Sequence, residues 1–275
     1  MINQVTIGAD PELFLVNGAK TNKPVVSAIG IIPGEKGNPW VGEDMPKGFG
    51  LEIDNILAEF NIPPVTSELA FLNNINYMKK YITTFVKNVD PNLEIKCSAS
   101  EVVPKAQLRH PLAKLFGCSP DYNAYTENEN PKPKGTSTCL RSAGFHVHIG
   151  YENPNIDDSV YLVKYLDAYV GLPSVIIDTD TRRRSLYGKA GAFRLTDYGV
   201  EYRVLSSAMM KNNKTIKFVF QQVMRAITAY NNGENIPLYE DTITTINNSD
   251  AERAKDLIKK FFILKEDITC ADFSE

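Results

Sequence analysis

Apolar and polar positions recur along the chain at two periods, and the period separates strands from helices. Residues 9–16 read as a strand with Asp10 and Glu12 on one face, and residues 57–62 as a second strand stopped by Pro63-Pro64. Residues 94–103, 144–151 and 201–207 have the same strand character. Helical spacing governs residues 66–87, where Leu69, Leu72, Ile75, Tyr77, Met78, Ile82, Phe85 and Val86 recur behind Thr66 or Ser67 as cap. Residues 157–170 predict a helix closed by Gly171 as a left-handed cap. Residues 213–230 and 249–264 predict two amphipathic helices, the second opened by Ser249-Asp250-Ala251-Glu252 in capping-box order.

Between these elements lie three polar or glycine-rich stretches: 30–50, 121–138 and 182–194. A polar loop as long as 121–138 in a compact domain tends to be functional or mobile. Strands and helices interleave without regular βαβ spacing, and neither Gly-x-Gly-x-x-Gly nor a Walker A pattern occurs. An antiparallel or mixed sheet with helices on one face is therefore expected, not a doubly wound one.

Composition narrows the function classes. The 275 residues are 43% hydrophobic and 23% charged with a net charge of −3, so no basic surface for nucleic acid is indicated. No apolar run approaches the roughly 20 residues that span a bilayer. The N-terminal residues run directly into a strand pattern, and the four cysteines are scattered. The expectation is a cytoplasmic single domain, 1–275, with reduced thiols and with residues 212–275 as a helical extension.

The chemistry lies in polar pairs two residues apart within apolar strands. Side chains at i and i+2 of a strand share a face. That rule makes neighbours of Asp10 and Glu12, of His146 and His148, and of Glu201 and Arg203. Singly, each pair has an ordinary explanation: a solvent-facing acid pair, or one satisfied core histidine beside a bystander. Together they are more informative, because the chain has three histidines and two of them form one pair. His110, the third, has no patterned partner. Clustered acids resist burial unless a cation offsets their repulsion, and carboxylates with one imidazole suit Mg²⁺ or Mn²⁺. The 182–194 stretch adds five cations, Arg182, Arg183, Arg184, Lys189 and Arg194. Arginine forks bind carboxylate or phosphate at two points, so acids and arginines on one surface suit phosphoryl transfer.

Four segments resemble the glutamine synthetase / glutamate–cysteine ligase superfamily, and most of all its phage-associated carboxylate–amine ligases. Gly8-Ala9-Asp10-Pro11-Glu12-Leu13-Phe14-Leu15 is similar to the first metal strand. Glu52 through Glu59-Phe60 to Pro63 resembles the ligases' paired acids, Gly144-Phe145-His146-Val147-His148-Ile149-Gly150 the Gly-x-His-x-His strand, and Glu201-Tyr202-Arg203 the late Glu-x-Arg strand. Phe116-Gly117-Cys118-Ser119-Pro120-Asp121-Tyr122-Asn123 adds a likeness to the phage branch. The resemblance implies an α+β fold, a curved, mostly antiparallel sheet with helices on its outer face.

It further implies Asp10, Glu12, Glu52, Glu59, His146 and Glu201 as metal ligands, and His148, Arg182, Lys189 and Arg203 as nucleotide contacts. Arg184, Arg194 and Arg203 would act on the reacting groups. ATP and Mg²⁺ (or Mn²⁺) would be the cofactors, and a carboxylate and an amine, small molecules or peptides, the substrates. The expected activity is ATP-dependent amide formation through an acyl phosphate, in the host cytoplasm for a phage-encoded chain. A guanidino kinase-like phosphotransferase and a non-catalytic nucleotide-binding relative are the alternatives on this fold. A zinc hydrolase fits less well, since no His-Glu-x-x-His helix is present. Oligomeric state stays open.

Overall fold

The computed structural model describes residues 1–115, 121–131, 133, 138–261, 263–264 and 270–273. Its axis is β1 (Thr6–Asn17), which lies between β4 (Leu57–Val65) and β9 (Phe145–Gly150) over its first half. Over its second half it pairs with β2 (Val25–Val26) and β5 (Leu93–Lys96). β3 (Gly50–Asp54) extends the β4 side, and β11 (Gly199–Tyr202), β10 (Ala192–Thr196) and β7 (Tyr122–Asn123) extend the β9 side. The order is β3-β4-β1-β9-β11-β10-β7, and every described pairing is antiparallel. A ribbon of β6 (Ser100–Val102) and β8 (Leu140–Ser142) stands apart. The class is α+β with an open, mostly antiparallel sheet, as expected.

Alternation along the strands decides which face is which. Ile7, Ala9 and Leu13 of β1, Ala58, Phe60 and Ile62 of β4, Phe145, Val147 and Ile149 of β9, and Val200 and Tyr202 of β11 all join one apolar core. The residues between them, including Asp10, Glu12, Glu59, His146, His148 and Glu201, must point to the other face. A one-residue slip would bury the acids under helices, so the apolar set fixes the register.

The helices cover the apolar face. α1 (Glu68–Val89) buries Phe71, Leu72, Ile75, Met78, Ile82 and Val86, and Phe71 stacks on Phe145 with ring centroids 6.3 Å apart. Each such side chain contributes roughly 1.5–3 kcal/mol, against about 1 kcal/mol for a cap, so packing positions the helix and Ser67 only sets its start. Leu69, expected on the apolar face, is 63% exposed; Phe71, two positions on, takes the core place.

Three expectations need correction. β4 runs on through Pro63-Pro64 to Val65, because its register against β1 shifts there, and such a bulge leaves residues that need no ladder N–H. Gly171 is right-handed, φ −63°, and ends no helix as a left-handed cap: α2 (Ile156–Leu166) passes through a π-helical turn, Asp167–Gly171, into α3 (Leu172–Ile177). The resulting run 156–177 is long and apolar enough by length and composition to cross a membrane, contrary to the reading above, but most of it is buried inside the fold. Third, Ser249 is not the cap of the last long helix. It has φ +53°, and Asp250 caps α6 (Ala251–Lys260) by accepting from Arg253 N–H at 2.9 Å. Asp250→Ala is expected to lower stability by about 1 kcal/mol, a melting shift of roughly 2–4 °C; Asp250→Asn, which keeps an acceptor oxygen for the Arg253 N–H, should shift it less, and calorimetry on both variants checks the order.

α4 (Asn213–Asn232) matches its prediction, whereas α5 (Tyr239–Asn247), β3, β7 and β10 were not anticipated. Residues 94–103 split into β5 and β6 instead of forming one strand.

Candidate active site

Three cross-strand rows build the polar face. Glu52, Glu59 and Glu12 stand directly opposite one another on β3, β4 and β1. Asp10 faces His146, and His148 faces Glu201, which in turn faces Arg194 of β10. Directly opposed residues have Cβ atoms about 5 Å apart, so the rows form one continuous polar surface. Glu12, Glu52, Glu59, His146, Glu201 and Arg203 are all buried, which is unusual for such groups.

The oxygens and nitrogens fall into two groups that can each hold a cation. In the first, atoms of Asp10, His148 and Glu201 lie within 4.8 Å of one another. Asp10 Oδ1 is 2.9 Å from His148 Nε2 and 3.4 Å from His146 Nδ1, and all three atoms are buried. Two carboxylates and an imidazole converging in this way fit a divalent ion such as Mn²⁺ or Mg²⁺. Burial would raise the pKa of Asp10, but His148 and His146 more than offset it and hold the carboxyl well below its usual range. Conversely, burial would lower His148, and the Asp10 carboxylate raises it above its ordinary value.

The second group is Glu12, Asp54 and Glu59. Burial raises the pKa of Glu12 and of Glu52, which is what a carboxyl awaiting a counter-charge should show. Glu12 Oε2 accepts from Gly144 N–H at 2.5 Å, and Glu52 Oε2 from Gly37 N–H at 2.8 Å. Lys36 pairs with Asp54. Glu52, expected among the metal ligands, thus neighbours this group in the row while Asp54 completes it. Asp54 lies two residues along the same strand, so the i, i+2 rule would have found it.

Arginines close the other side. Glu201 is held at one oxygen by Arg203 and at the other by Arg194 Nη1 at 3.1 Å. Arg203 Nε also donates to Asp121 Oδ1 at 3.1 Å, tying the polar 121–131 segment to β11. Of the expected cations, Arg194 and Arg203 reach the face and three do not. Arg184 is buried on another side, donating to Ser249 Oγ at 3.0 Å, with Asp178 and Asp167 near its charge. Arg182 turns to Asp180 and the Ser100 carbonyl, and Lys189 is exposed. Two further buried cations line this side: Arg183, expected only as one of the five loop cations, and Arg141, which the sequence did not point to. Arg183 donates to the carbonyls of Val204 and Leu205 at 2.7 and 2.8 Å, and burial lowers its pKa to about 10. Arg183 and Arg184 lie in one short 3₁₀ turn that Arg182 precedes, so the three diverge, which a linear pattern does not reveal.

Two pockets open onto this surface. One is lined by Glu12, Asp54, Asp121, Arg141, Arg183 and Arg203 among others. The second, more apolar, lies at Asp10 and His148 and is walled by Ile62, Pro63, Pro64 and Tyr198. The Tyr198 hydroxyl bonds His148 Nδ1, and the two rings lie nearly parallel, 27° apart. His110 is structural: its Nδ1 accepts from Leu112 N–H at 3.2 Å. Cys97 and Cys139 are free thiols, whereas Cys118 and the rest of 116–120 lie outside the described residues.

No curated protein matches the sequence. Residues 139–263, the stretch from β8 to just beyond α6 that carries both site histidines, Glu201 and the arginine loop, match the family model of the phage phiEco32-like COOH.NH2 ligase, type 2.

Proposed function

We propose that the protein is an ATP-dependent ligase that joins a carboxylate to an amine. The observation that supports this most is the position of the acid and imidazole rows between an arginine-lined pocket and an apolar one, within a chain whose second half matches a carboxylate–amine ligase family. The wider placement, beside glutamine synthetase and glutamate–cysteine ligase, belongs to the same proposal and rests on the four strand motifs.

In this reading the nucleoside lies in the pocket of Ile62, Pro63, Pro64 and Tyr198, with its phosphates toward Asp10 and His148. The carboxylate substrate lies among Arg141, Arg183 and Arg203. Divalent ions, when bound by the two carboxylate groups, would neutralise charge on the transferring phosphoryl group. The chain's own residues hold the two reactants in line, and Arg194 and Arg203 present positive charge where negative charge develops. A carboxylate oxygen attacks the γ-phosphorus and ADP leaves. The amine nitrogen then attacks the acyl carbon, and the phosphate that leaves takes up the amine proton.

The test is product analysis by mass spectrometry after incubation with Mg-ATP and a panel of amino acids and short peptides. ADP together with a dehydrated, amide-linked product is expected. A stable phosphorylated amine or guanidine would instead support the kinase reading, and absence of ADP with every pair would count against both.

A further inference from the structure

Among the described residues, Asp167 is the most buried acid outside the site, with no exposed surface, and its carboxylate accepts three hydrogen bonds. Tyr202 OH donates to Oδ1 at 2.7 Å; Tyr125 OH and Gly191 N–H donate to Oδ2 at 3.0 and 2.6 Å. The three donors come from three segments that build the arginine side. Tyr202 lies between Glu201 and Arg203 on β11. Gly191 ends the arginine loop and leads through Ala192 and Phe193 to Arg194. Tyr125 follows Asp121, which bonds Arg203.

The local fold is shaped around this carboxylate. Asp167 opens the π-helical turn between α2 and α3, and such single turns, with one residue too many for an α-helix, recur at functional sites. A Cβ on Gly171 in the same turn would stand 2.8 Å from Tyr202 Oη and 3.3 Å from Asp167 Oδ1, so glycine leaves the room. Burial pushes the Asp167 carboxyl up to about 7 despite its three donors, so an acid is retained here against the tendency of the site. An apolar residue would fill the space more cheaply if filling were its only role.

We propose that Asp167 is a positioning residue that fixes Arg194 and Arg203 relative to one another for binding the anionic groups of the substrates. It touches no substrate and acts through Tyr202, Gly191 and Tyr125. The identity of the anion rests on the ligase reading; the positioning role does not.

The test separates cation binding from anion binding in the full chain. Mn²⁺ affinity is measured by electron paramagnetic resonance, and the affinity for inorganic pyrophosphate in saturating Mn²⁺ by calorimetry. Asp167→Asn keeps the shape but offers one acceptor oxygen and a donor in place of two acceptors. Pyrophosphate affinity is expected to fall about tenfold or more while Mn²⁺ affinity stays within about twofold of the parent, which corresponds to roughly 1.4 kcal/mol or more lost on the anion side alone. Tyr202→Phe and Tyr125→Phe, which keep the buried acid and remove one donor each, should show the same split in smaller measure, and they carry the test if Asp167→Asn does not fold. Parental pyrophosphate affinity in the folded variants, or an equal loss of Mn²⁺ and pyrophosphate binding, would overturn the role; so would a parent that binds no pyrophosphate. If the parent forms no amide but the split is observed, the ligase reading falls and the positioning role stands. If the parent is an active ligase and the variants bind pyrophosphate normally, the reverse holds.

Discussion

Mn²⁺ is expected to raise the melting temperature of the parent protein, and Asp10→Asn is expected to abolish that rise. Asp10 Oδ1 is the atom on which the first cation group converges, 2.9 Å from His148 Nε2 and 3.4 Å from His146 Nδ1. Asparagine keeps the volume and an oxygen but removes the negative charge. At an effective dielectric near 20, one unit charge about 4 Å from another contributes on the order of 4 kcal/mol, and a divalent ion feels more. A loss of at least about 100-fold in Mn²⁺ affinity follows. The fold should persist, because Asp10 is on the polar face and the register is fixed by Ile7, Ala9 and Leu13 on the other. An Mn²⁺-dependent shift that survives in Asp10→Asn would remove Asp10 from the cation site.

Gly188→Ala is the second large effect. Gly188 has φ +74°, a conformation that costs alanine about 1 kcal/mol. Its new Cβ would overlap the Arg183 guanidinium and stand 2.8 Å from the Val204 carbonyl oxygen. Arg183 cannot yield easily, because it is 2% exposed and bonds the carbonyls of Val204 and Leu205. Displacing it leaves two buried carbonyls without that donor and moves a cation out of the arginine-lined pocket, at a cost of roughly 3–5 kcal/mol. Denaturant unfolding should show that loss, with anion binding reduced in whatever fraction remains folded. A near-parental unfolding midpoint would mean that the arginine relocates without penalty, and its place in the pocket would then be incidental.

How much of this was legible in the sequence depends on whether the signal was periodic. The strand faces were legible because Asp10-x-Glu12, His146-x-His148 and Glu201-x-Arg203 continue an alternation with apolar residues, and the sheet brings the first five to one face, with Arg203 just past the end of β11. Asp54 carried the same signal from Glu52 but lay in a strand that the glycine-rich run before it obscured. The arginine loop was legible only as composition. Which of Arg182, Arg183 and Arg184 enters the pocket is decided by a 3₁₀ turn and by Gly188 making room, neither of which has a linear pattern. Asp167 was invisible for a different reason. It looks like an ordinary helix acid, and only the π-helical turn that follows it and three donors distant in sequence give it a role.

Isotope transfer tests the ligase account most directly. The carboxylate substrate found in the product screen is labelled with ¹⁸O in both oxygens and incubated with Mg-ATP, the amine and the protein, and the released phosphate is analysed by mass spectrometry. Attack of the carboxylate on the γ-phosphorus followed by cleavage of the acyl carbon–oxygen bond carries one ¹⁸O into each phosphate, and that is the expected result. Phosphate released without label, alongside amide formation, would contradict the acyl-phosphate route; label absent and no amide formed would contradict the ligase itself.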